Sequence, residues 1–130
     1  MIFNIKPVSK PRMTRRDKWA KRECVLDYYT FKDELLLQAK VNGANGTFEL
    51  PDEFRVVFGI PFPRSYSVKR KELLLGSPNR VKPDLDNYLK ALMDVFQVND
   101  AGIWHIEASK IWTKGSGFIL IEDFDEQDHL

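Results

Sequence analysis

Two aspartates one residue apart lie at the centre of the stretch of this chain that is best suited to chemistry. Asp84 and Asp86 follow Pro83, whose ring fixes its own φ and disfavours the α region for the residue before it. We therefore expect an extended approach to Pro83 and a helix that begins immediately afterwards. Carboxylate oxygens are the ligands that a hard cation such as Mg²⁺ takes in proteins, so this pair is a candidate metal site.

The helix predicted after Pro83 has two distinct faces. Asp86, Lys90 and Asp94 share one face, at i, i+4 and i+8. The other face is an apolar stripe with helical spacing, formed by Leu85, Tyr88, Leu89, Leu92, Met93 and Phe96. This pattern predicts a helix that is anchored in the core and presents alternating charge on its other side.

A structural role for these charges is the main alternative. Aspartate at a helix N-terminus commonly caps the free N–H groups, and an Asp-x-Asp pair taken alone is more often structural than catalytic. Lys90, likewise, is suitably spaced for an ion pair with Asp86 or Asp94. A calcium-binding EF-hand is excluded, because Tyr88, Leu89 and Val95 occupy positions where that loop needs a ligand, a glycine and a glutamate.

The stretch around the two aspartates resembles the core of the RusA family of Holliday-junction resolvases, endonucleases that cut four-way DNA junctions. The match covers roughly the second half of the chain and ends in a strand-like run over residues 104–112. The residues that carry the resemblance are Lys82, Pro83, Asp84, Leu85, Asp86, Asn87, Lys90, Asp94, Asn99, Asp100 and Lys110.

The resemblance implies a set of catalytic carboxylates. By this likeness Asp84, Asp86 and Asp100 hold one or two Mg²⁺ ions, with Mn²⁺ as a possible substitute. The family often has two adjacent acids before the final strands, whereas here the first of these positions is Asn99. Asp100 is therefore the one candidate for the third ligand.

The resemblance also assigns roles to three polar residues around the carboxylates. Lys90 is expected to be an essential basic residue that stabilises negative charge on the transition state. Lys110 is expected to be a supporting basic residue that contacts DNA. Asn87 is expected to orient a ligand through a hydrogen bond rather than to bind the metal directly.

The charges of the chain are unevenly distributed. The net charge is only +1, but basic residues are concentrated in two segments, residues 6–22 and 64–82, while residues 122–128 are acidic. Lysine and arginine release counterions when they bind DNA, so these segments suit a phosphate-binding surface. We predict that Arg15, Arg16, Lys69 and Arg70 contact the DNA backbone, the alternative being solvated helix faces.

Length and composition favour one compact unit. A chain of 130 residues with 43% hydrophobic residues can bury one core, so we expect a single domain over residues 1–130, with a frayed acidic tail from about residue 123. The one cysteine, Cys24, cannot form an intrachain disulfide and is expected to be a small buried helix residue in a reducing, cytoplasmic protein. No signal sequence or membrane-spanning run is evident.

Periodicity and turn signals give the order of elements. They predict a strand at 3–6, a long helix over 15–40, strands at 47–51 and 54–61, a short helix from Ser67, the helix after Pro83, and a terminal hairpin of 103–112 with 118–121. This order predicts an α/β (α+β) domain, in which a mixed β-sheet packs against the long N-terminal helix and the catalytic helix. The RusA resemblance implies the same architecture.

Taken together, these features predict a metal-dependent endodeoxyribonuclease of DNA recombination and repair. By resemblance it resolves four-way junctions by paired symmetric nicks, and two such nicks require a homodimer with two-fold symmetry. One alternative is a non-catalytic DNA-binding module whose aspartates are helix caps. A transferase that holds a metal-bound nucleotide diphosphate is a second, but the chain lacks the glycine-rich loop of such proteins.

Overall fold

In a computed structural model of the chain, residues 1–12, 23–42, 49–96 and 102–124 are described. Their elements are β1 (Ile2–Phe3), α1 (Glu23–Asn42), β2 (Glu53–Pro61), α2 (Val68–Leu74), α3 (Leu85–Val95), β3 (His105–Thr113) and β4 (Phe118–Glu122). The strands of these ranges form one four-stranded sheet in the order β1-β4-β2-β3. β2 and β3 are parallel, and the other neighbours are antiparallel. The predicted α/β class with a mixed sheet is confirmed.

The centre of the sheet is β2, which is the most thoroughly buried strand. Phe54, Val56 and Phe58 alternate along it and are at most 1% exposed. They share a face of the sheet with Ile119 and Ile121 of β4, and this face belongs to the core that α1 and α3 cover. Parallel β2 and β3 require a long crossover between them, and that crossover contains both α2 and α3.

The two long helices cover the core with one stripe each, as their spacing predicts. α3 buries Tyr88, Ala91, Leu92 and Val95. The most buried residues of α3 therefore differ from the predicted stripe. The smaller Ala91 and Val95 are at most 1% exposed. Four residues of the predicted stripe are only partly buried, namely Leu85, Leu89, Met93 and Phe96. α1 buries Val25, Tyr28, Phe31, Leu35 and Ala39.

The prediction of a terminal hairpin is wrong. β3 and β4 are not neighbours, because β2 lies between them. The loop of residues 114–117 instead passes across the end of β2, where a Cβ on Gly117 would stand 2.8 Å from the carbonyl oxygen of Gly59. Gly117 also has a φ of +101°, and the Phe118 ring fills the space that a side chain on Gly59 would need. Two glycines thus allow a short loop to cross a strand.

Other element boundaries differ from the predictions. The first strand is Ile2–Phe3 rather than 3–6, and the long helix runs from Glu23 to Asn42, with residues 15–22 of its predicted span outside the described residues. The strand predicted at 47–51 is not formed at 49–51, and its first two residues lie outside the described ranges. The acidic tail is described only as far as Phe124.

Cys24 was predicted to be buried and is instead exposed. It lies in the first turn of α1, beside a solvent-open cavity rather than on the buried stripe of the helix. Among the helices of the described ranges, none is both long and apolar enough to span a bilayer.

Candidate active site

The carboxylate of Asp84 has no intramolecular partner among the described residues. Asp84 occupies the N-cap position of α3 with extended backbone angles (φ −68°, ψ 151°), but its side chain makes no capping hydrogen bond. The backbone carbonyl of Asp84 accepts the N–H of Asn87 at 3.1 Å, which starts the helix. The side chain is exposed. Capping therefore does not explain this aspartate, and its carboxylate is available to a ligand.

Asp86 lies in the first turn of α3 and has one partner among the described residues. Its Oδ2 lies 3.5 Å from Nζ of Lys90, and both side chains are 65% exposed. An exposed i, i+4 pair of this kind stabilises a helix by only about 0.2–0.5 kcal/mol. The positive end of the helix dipole also favours the charge on Asp86. Asp86 and Lys90 are therefore held close together by an interaction weak enough to rearrange around a ligand.

Lys110 of β3 holds the segment that leads into Asp84. Its ammonium donates to the carbonyl oxygens of Val81 and Pro83, at 2.5 and 2.7 Å. The peptide bond between Lys82 and Pro83 in this segment is cis. Lys110 was predicted as a supporting basic residue, and its described contacts are to the protein backbone, where it fixes the position of the loop before the carboxylates.

The chain before this loop runs along the free edge of β3. Trp112 of β3 accepts the N–H of Gly76 at 2.9 Å and donates its own N–H to Ser77 at 3.0 Å, while Asn79 donates its N–H to Lys110 at 3.0 Å. Pro78 forms an isolated antiparallel bridge with Ile111. The path from α2 to Asp84 is therefore tied to the sheet rather than left as a free loop.

The acidic start of α3 suits a hard cation. Asp84 and Asp86 offer carboxylate oxygens, the donors that Mg²⁺ and Mn²⁺ take, and Asp84 has no competing ion pair among the described residues. Asp100, the third predicted ligand, lies outside the described residues. Within the described ranges no group of three His, Cys, Asp or Glu side chains converges on one point. The two carboxylates present thus fit part of a metal site.

Asn87 connects the site to the N-terminal segment. It is half-buried in the first turn of α3, and its backbone carbonyl accepts the N–H of Lys10 at 3.2 Å. This contact docks the N-terminal segment against α3 next to the carboxylates. The predicted role of the Asn87 side chain in orienting a ligand stays a prediction.

The predicted DNA-contacting residues that are described lie on α2. Ser67 caps this helix by accepting the N–H of Arg70 at 3.2 Å, and no side chain of the helix is buried. Lys69 and Arg70 are exposed, and the Arg70 guanidinium stands 3.7 Å from the ring centroid of Tyr66. The structure therefore places both cations on the segment that leads to the carboxylates. Arg15 and Arg16 lie outside the described residues.

Asp94, at the other end of α3, is bound by the protein itself. Tyr28 of α1 donates its hydroxyl to Oδ2 of Asp94, and Nζ of Lys10 lies 3.4 Å from Oδ1. The Tyr28 hydrogen bond, with Lys10 and the charge of Lys32, lowers the pKa of the Asp94 carboxyl, against the opposing effect of its burial. Burial and the nearby Asp94 carboxylate raise the pKa of Tyr28. Asp94 is thus a link between α3, α1 and the N-terminal segment.

Sequence reasoning missed several residues around the site. Lys10 and Tyr28 carry no motif, and their role as partners of Asp94 depends on how α1 packs against α3. Asn79 is the one polar or charged residue found buried among the described residues, at 4% exposure. It follows Gly76, Ser77 and Pro78, a run that indicates a turn and gives no signal that the next side chain is enclosed.

Comparison with known proteins identifies the family of the chain. The family model described as "Endodeoxyribonuclease RusA" matches residues 3–121 of this chain. The match includes the two aspartates at the start of α3, Lys90, Lys110 and all of the sheet except Ile2 and Glu122. No curated protein and no solved structure shows significant similarity to the chain.

Proposed function

Because the chain belongs to the RusA family of endodeoxyribonucleases, we propose that it resolves four-way DNA junctions by metal-dependent, paired and symmetric nicks in recombination and repair. The observation that carries this proposal is the exposed carboxylate of Asp84, which has no partner among the described residues and lies beside Asp86 at the start of α3. A carboxylate that makes no hydrogen bond at a rigid helix end contributes little to the stability of the fold. A bound cation accounts for it better.

In this proposal Asp84 and Asp86 hold a divalent cation together with Asp100. Mg²⁺, or Mn²⁺ in its place, supplies Lewis acidity that polarises the scissile phosphate and lowers the pKa of the attacking water. The carboxylates would hold such a cation in a fixed position, because Lys110 holds the backbone that leads into Asp84. Asn87 keeps the N-terminal segment beside them through its contact with Lys10.

Lys90 is the residue we propose to act on the phosphate. Its ammonium lies 3.5 Å from Asp86 and is largely exposed, so it can turn from this carboxylate to a phosphate oxygen without leaving a buried charge unpaired. Negative charge on the non-bridging oxygens increases as the water attacks, so a cation at this position is worth more in the transition state than in the bound ground state.

DNA binding is proposed to involve the basic side chains on α2, together with Arg15 and Arg16. Lys69 and Arg70 are exposed on the segment that precedes the carboxylates, so a backbone bound there leads toward the site. Arg15 and Arg16 are proposed to contact a second stretch of backbone. Such contacts give affinity for phosphate without sequence preference. Cys24, the only cysteine, is compatible with the reducing cytoplasm in which we expect the enzyme to act.

The paired nicks require two active sites, so we propose a homodimer. Sequence reasoning left the interface open between the long helix and residues 54–62, and the structure favours α1. Residues 54–60 contribute mainly to the core, whereas α1 carries a second apolar stripe on its exposed side, formed by Leu26, Tyr29, Leu36, Leu37 and Val41. In a dimer with a two-fold axis, the same stripe of the second copy would cover this apolar stripe.

A cleavage assay on defined DNA structures tests the proposal. Labelled four-way junction, linear duplex and single-stranded DNA are incubated with the protein, in Mg²⁺ and in chelator. We expect symmetric nicks in the junction that require Mg²⁺, and no comparable cutting of the duplex or the single strand. Asp84→Asn should abolish cutting and keep junction binding. The substitution removes a negative charge that the cation needs, and it breaks no capping hydrogen bond because the Asp84 side chain makes none.

Asp123→Asn is the matched control, since Asp123 is exposed and follows β4, outside the proposed site. It should cut like the wild type. If the protein binds junctions but cuts none of the three substrates in Mg²⁺ or Mn²⁺, the alternative of a non-catalytic DNA-binding module replaces the nuclease. Sedimentation at micromolar concentration tests the dimer separately, and a monomer would contradict the paired mechanism.

A further inference from the structure

A cavity of about 580 Å³ opens beside the loop that leads into Asp84. It lies between the N-terminal segment, the first turn of α1, the end of β2 and residues 79–83. Its walls include Tyr88 and Trp112, each 5% exposed, and Phe62, whose ring stacks on Trp112 with centroids 5.1 Å apart and planes 5° apart. The volume falls within the range of small-ligand pockets, and the aromatic walls suit a flat, conjugated ligand.

Asn79 is a buried hydrogen-bonding side chain in the lining of the cavity. Its Oδ1 accepts the N–H of Val81 at 3.2 Å, which fixes the orientation of the amide. Its Nδ2 is buried and has no hydrogen-bond partner among the described residues. A buried amide N–H left unpaired is destabilising, and a ligand with an acceptor group would remove that penalty. The Asn79 amide is thus an unsatisfied donor in the wall of the cavity.

Basic residues line the same cavity. Lys6, Arg12 and Lys82 contribute to its lining, and Asp27 is the one acidic residue that the described part of the chain places there. Aromatic walls for a flat ring, cations for a phosphate and a fixed amide donor are together the chemistry that binds a nucleotide unit of a strand. An apolar peptide would have no use for the cations, and a free anion would have none for the aromatic walls.

The cavity lies close to the proposed cleavage site. Asn79 and Asp84 are five residues apart on one loop, so their Cα atoms are separated by at most about 18 Å. A DNA strand advances about 3.4 Å per nucleotide along a duplex, so a base that enters the cavity belongs within a few nucleotides of the scissile phosphate.

Resting on the nuclease function proposed above, we propose that this cavity receives one unstacked nucleobase of the cleaved strand, and that Asn79 donates to a carbonyl oxygen of that base. Bases at a branch point have lost part of their stacking, which reduces the cost of taking one out of the helix. Because the fixed group of Asn79 is a donor, the cavity favours bases that present a carbonyl oxygen to it. Adenine offers only ring nitrogens as acceptors, so it is the base that this donor should favour least.

Cavity occupation is tested first without cleavage, through the thiol of Cys24. This residue is the only cysteine of the chain, it is exposed, and it lines the cavity. Its reaction rate with a small thiol reagent is measured in chelator, alone and with saturating junction DNA. A series of junctions then replaces one nucleotide at a time by an abasic unit. We expect intact junction to slow the reaction and one abasic position to restore it.

Cleavage of the same series in Mg²⁺ is the second test. The abasic position that restores the Cys24 reaction should cut about tenfold more slowly or worse, as expected for the loss of one stacked base. Adenine at that position should reduce cleavage in the wild type. Asn79→Leu should remove the discrimination among bases while leaving the abasic junction unaffected, whereas Asn4→Leu, an exposed asparagine outside the cavity, should preserve it.

The outcomes separate this inference from the proposed function. Junction cleavage with equal effects at every abasic position, and Cys24 protection that no abasic unit relieves, would overturn the base pocket and leave the nuclease intact. A protein that cuts no junction fails the proposed function, while the thiol measurement still decides whether a base enters the cavity. If Asn79→Leu does not fold, Asn79→Asp provides the comparison, because it keeps the acceptor for Val81 and removes the donor.

Discussion

The two ends of α3 carry aspartates in opposite circumstances. Asp94, near the C-terminal end, accepts hydrogen bonds from Tyr28 and Lys10, and these contacts connect three parts of the chain. At the N-terminal end, Asp84 has no partner among the described residues and Asp86 has one exposed lysine. The same helix thus contains a carboxylate that the fold uses and two that it leaves accessible.

The difference shows how a structural carboxylate can be told from a reactive one. The sequence pattern puts Asp86, Lys90 and Asp94 on one face of the helix, and it does not distinguish the two aspartates from each other. Hydrogen bonding separates them, because Tyr28 and Lys10 lower the pKa of Asp94 and hold its charge for stability. The protein thus satisfies Asp94 internally, whereas the carboxylates at the start of the helix stay exposed.

Replacing the aspartates near the two ends of α3 by asparagine should produce the largest contrast between an effect on cleavage and an effect on stability. Asp86→Asn should lower Mg²⁺-dependent cleavage by orders of magnitude with little change in melting temperature, because its charge serves the cation and contributes little to folding. Asp94→Asn should lower the melting temperature and keep the cleavage rate per folded molecule. Cleavage, junction affinity and a melting curve are measured for both variants.

The reverse result would break the comparison. An Asp86→Asn protein that folds and cuts at the wild-type rate would remove Asp86 from the active site. An Asp94→Asn protein that is stable but inactive would make Asp94 part of the chemistry. Junction binding by Asp86→Asn should persist or tighten, since one negative charge that faces phosphate has gone.

Replacement of Lys90 should have the next largest effect. Lys90→Ala should lower the cleavage rate roughly 10- to 100-fold with a smaller change in junction affinity, because its contact with phosphate strengthens in the transition state. Single-turnover rates and gel-shift affinities separate the two quantities. Lys114→Ala, an exposed lysine in the loop between β3 and β4, is the control. Equal losses of rate and affinity would make Lys90 an ordinary backbone contact.

Removal of the Tyr28 hydroxyl should reduce stability in a pH-dependent way. Tyr28→Phe keeps the buried ring and loses the bond to Asp94, so at neutral pH it should lower the free energy of unfolding by about 1–2 kcal/mol. The expected loss lies in the lower part of the range of energies for a hydrogen bond to a charged group, because the Asp94 side chain is 40% exposed.

The sign of the pH dependence follows from the lowered pKa of Asp94. Its contribution is complete above the ordinary aspartate pKa, about 3.9, and is lost as the pH falls through the lower pKa of the folded state. The stability gap between wild type and Tyr28→Phe should therefore be constant from neutral pH down to about 4 and should narrow below that. Urea unfolding over this range measures it, and a gap that widens in acid would contradict the link.

The smallest effect is expected from the cations on α2. Replacing Lys69 and Arg70 together by alanine should weaken junction binding on every sequence and reduce the slope of log affinity against log salt by about two. A titration of affinity against salt measures the slope. Lys40→Ala, at the exposed C-terminal turn of α1, is a control for lost positive charge. An unchanged slope would assign both cations to solvent.

The parts of the fold that depend on local chemistry could be predicted from the sequence. Pro83 and the spacing from Leu85 onward place α3, and Ser67 places the start of α2. The predicted carboxylate pair lies at a helix start as expected, because a proline and a helical stripe act within a few residues. The choice between capping and metal binding was beyond the sequence, since either role requires the same residue at the same position.

Features that depend on distant contacts could not be predicted. A short glycine-containing connection normally indicates a hairpin, but here the apolar strand β2 lies between β3 and β4 and buries Phe54, Val56 and Phe58. Lys110 carries a charge that suits DNA, yet its described partners are two carbonyl oxygens 27 and 29 residues earlier in the chain. No local pattern encodes such contacts.

The hydrogen bonds between Lys110 and the loop before Asp84 affect the order in which this region folds during synthesis. The loop and α3 leave the ribosome first, but the strand that pairs with residues 76–79 and supplies the ammonium is made later. Translation adds about 5–20 residues per second, so the carboxylates exist for an interval without their support. A nascent chain that stops before β3 therefore lacks the support of the proposed site, and truncated products should be harmless to the chromosome of the cell that makes them.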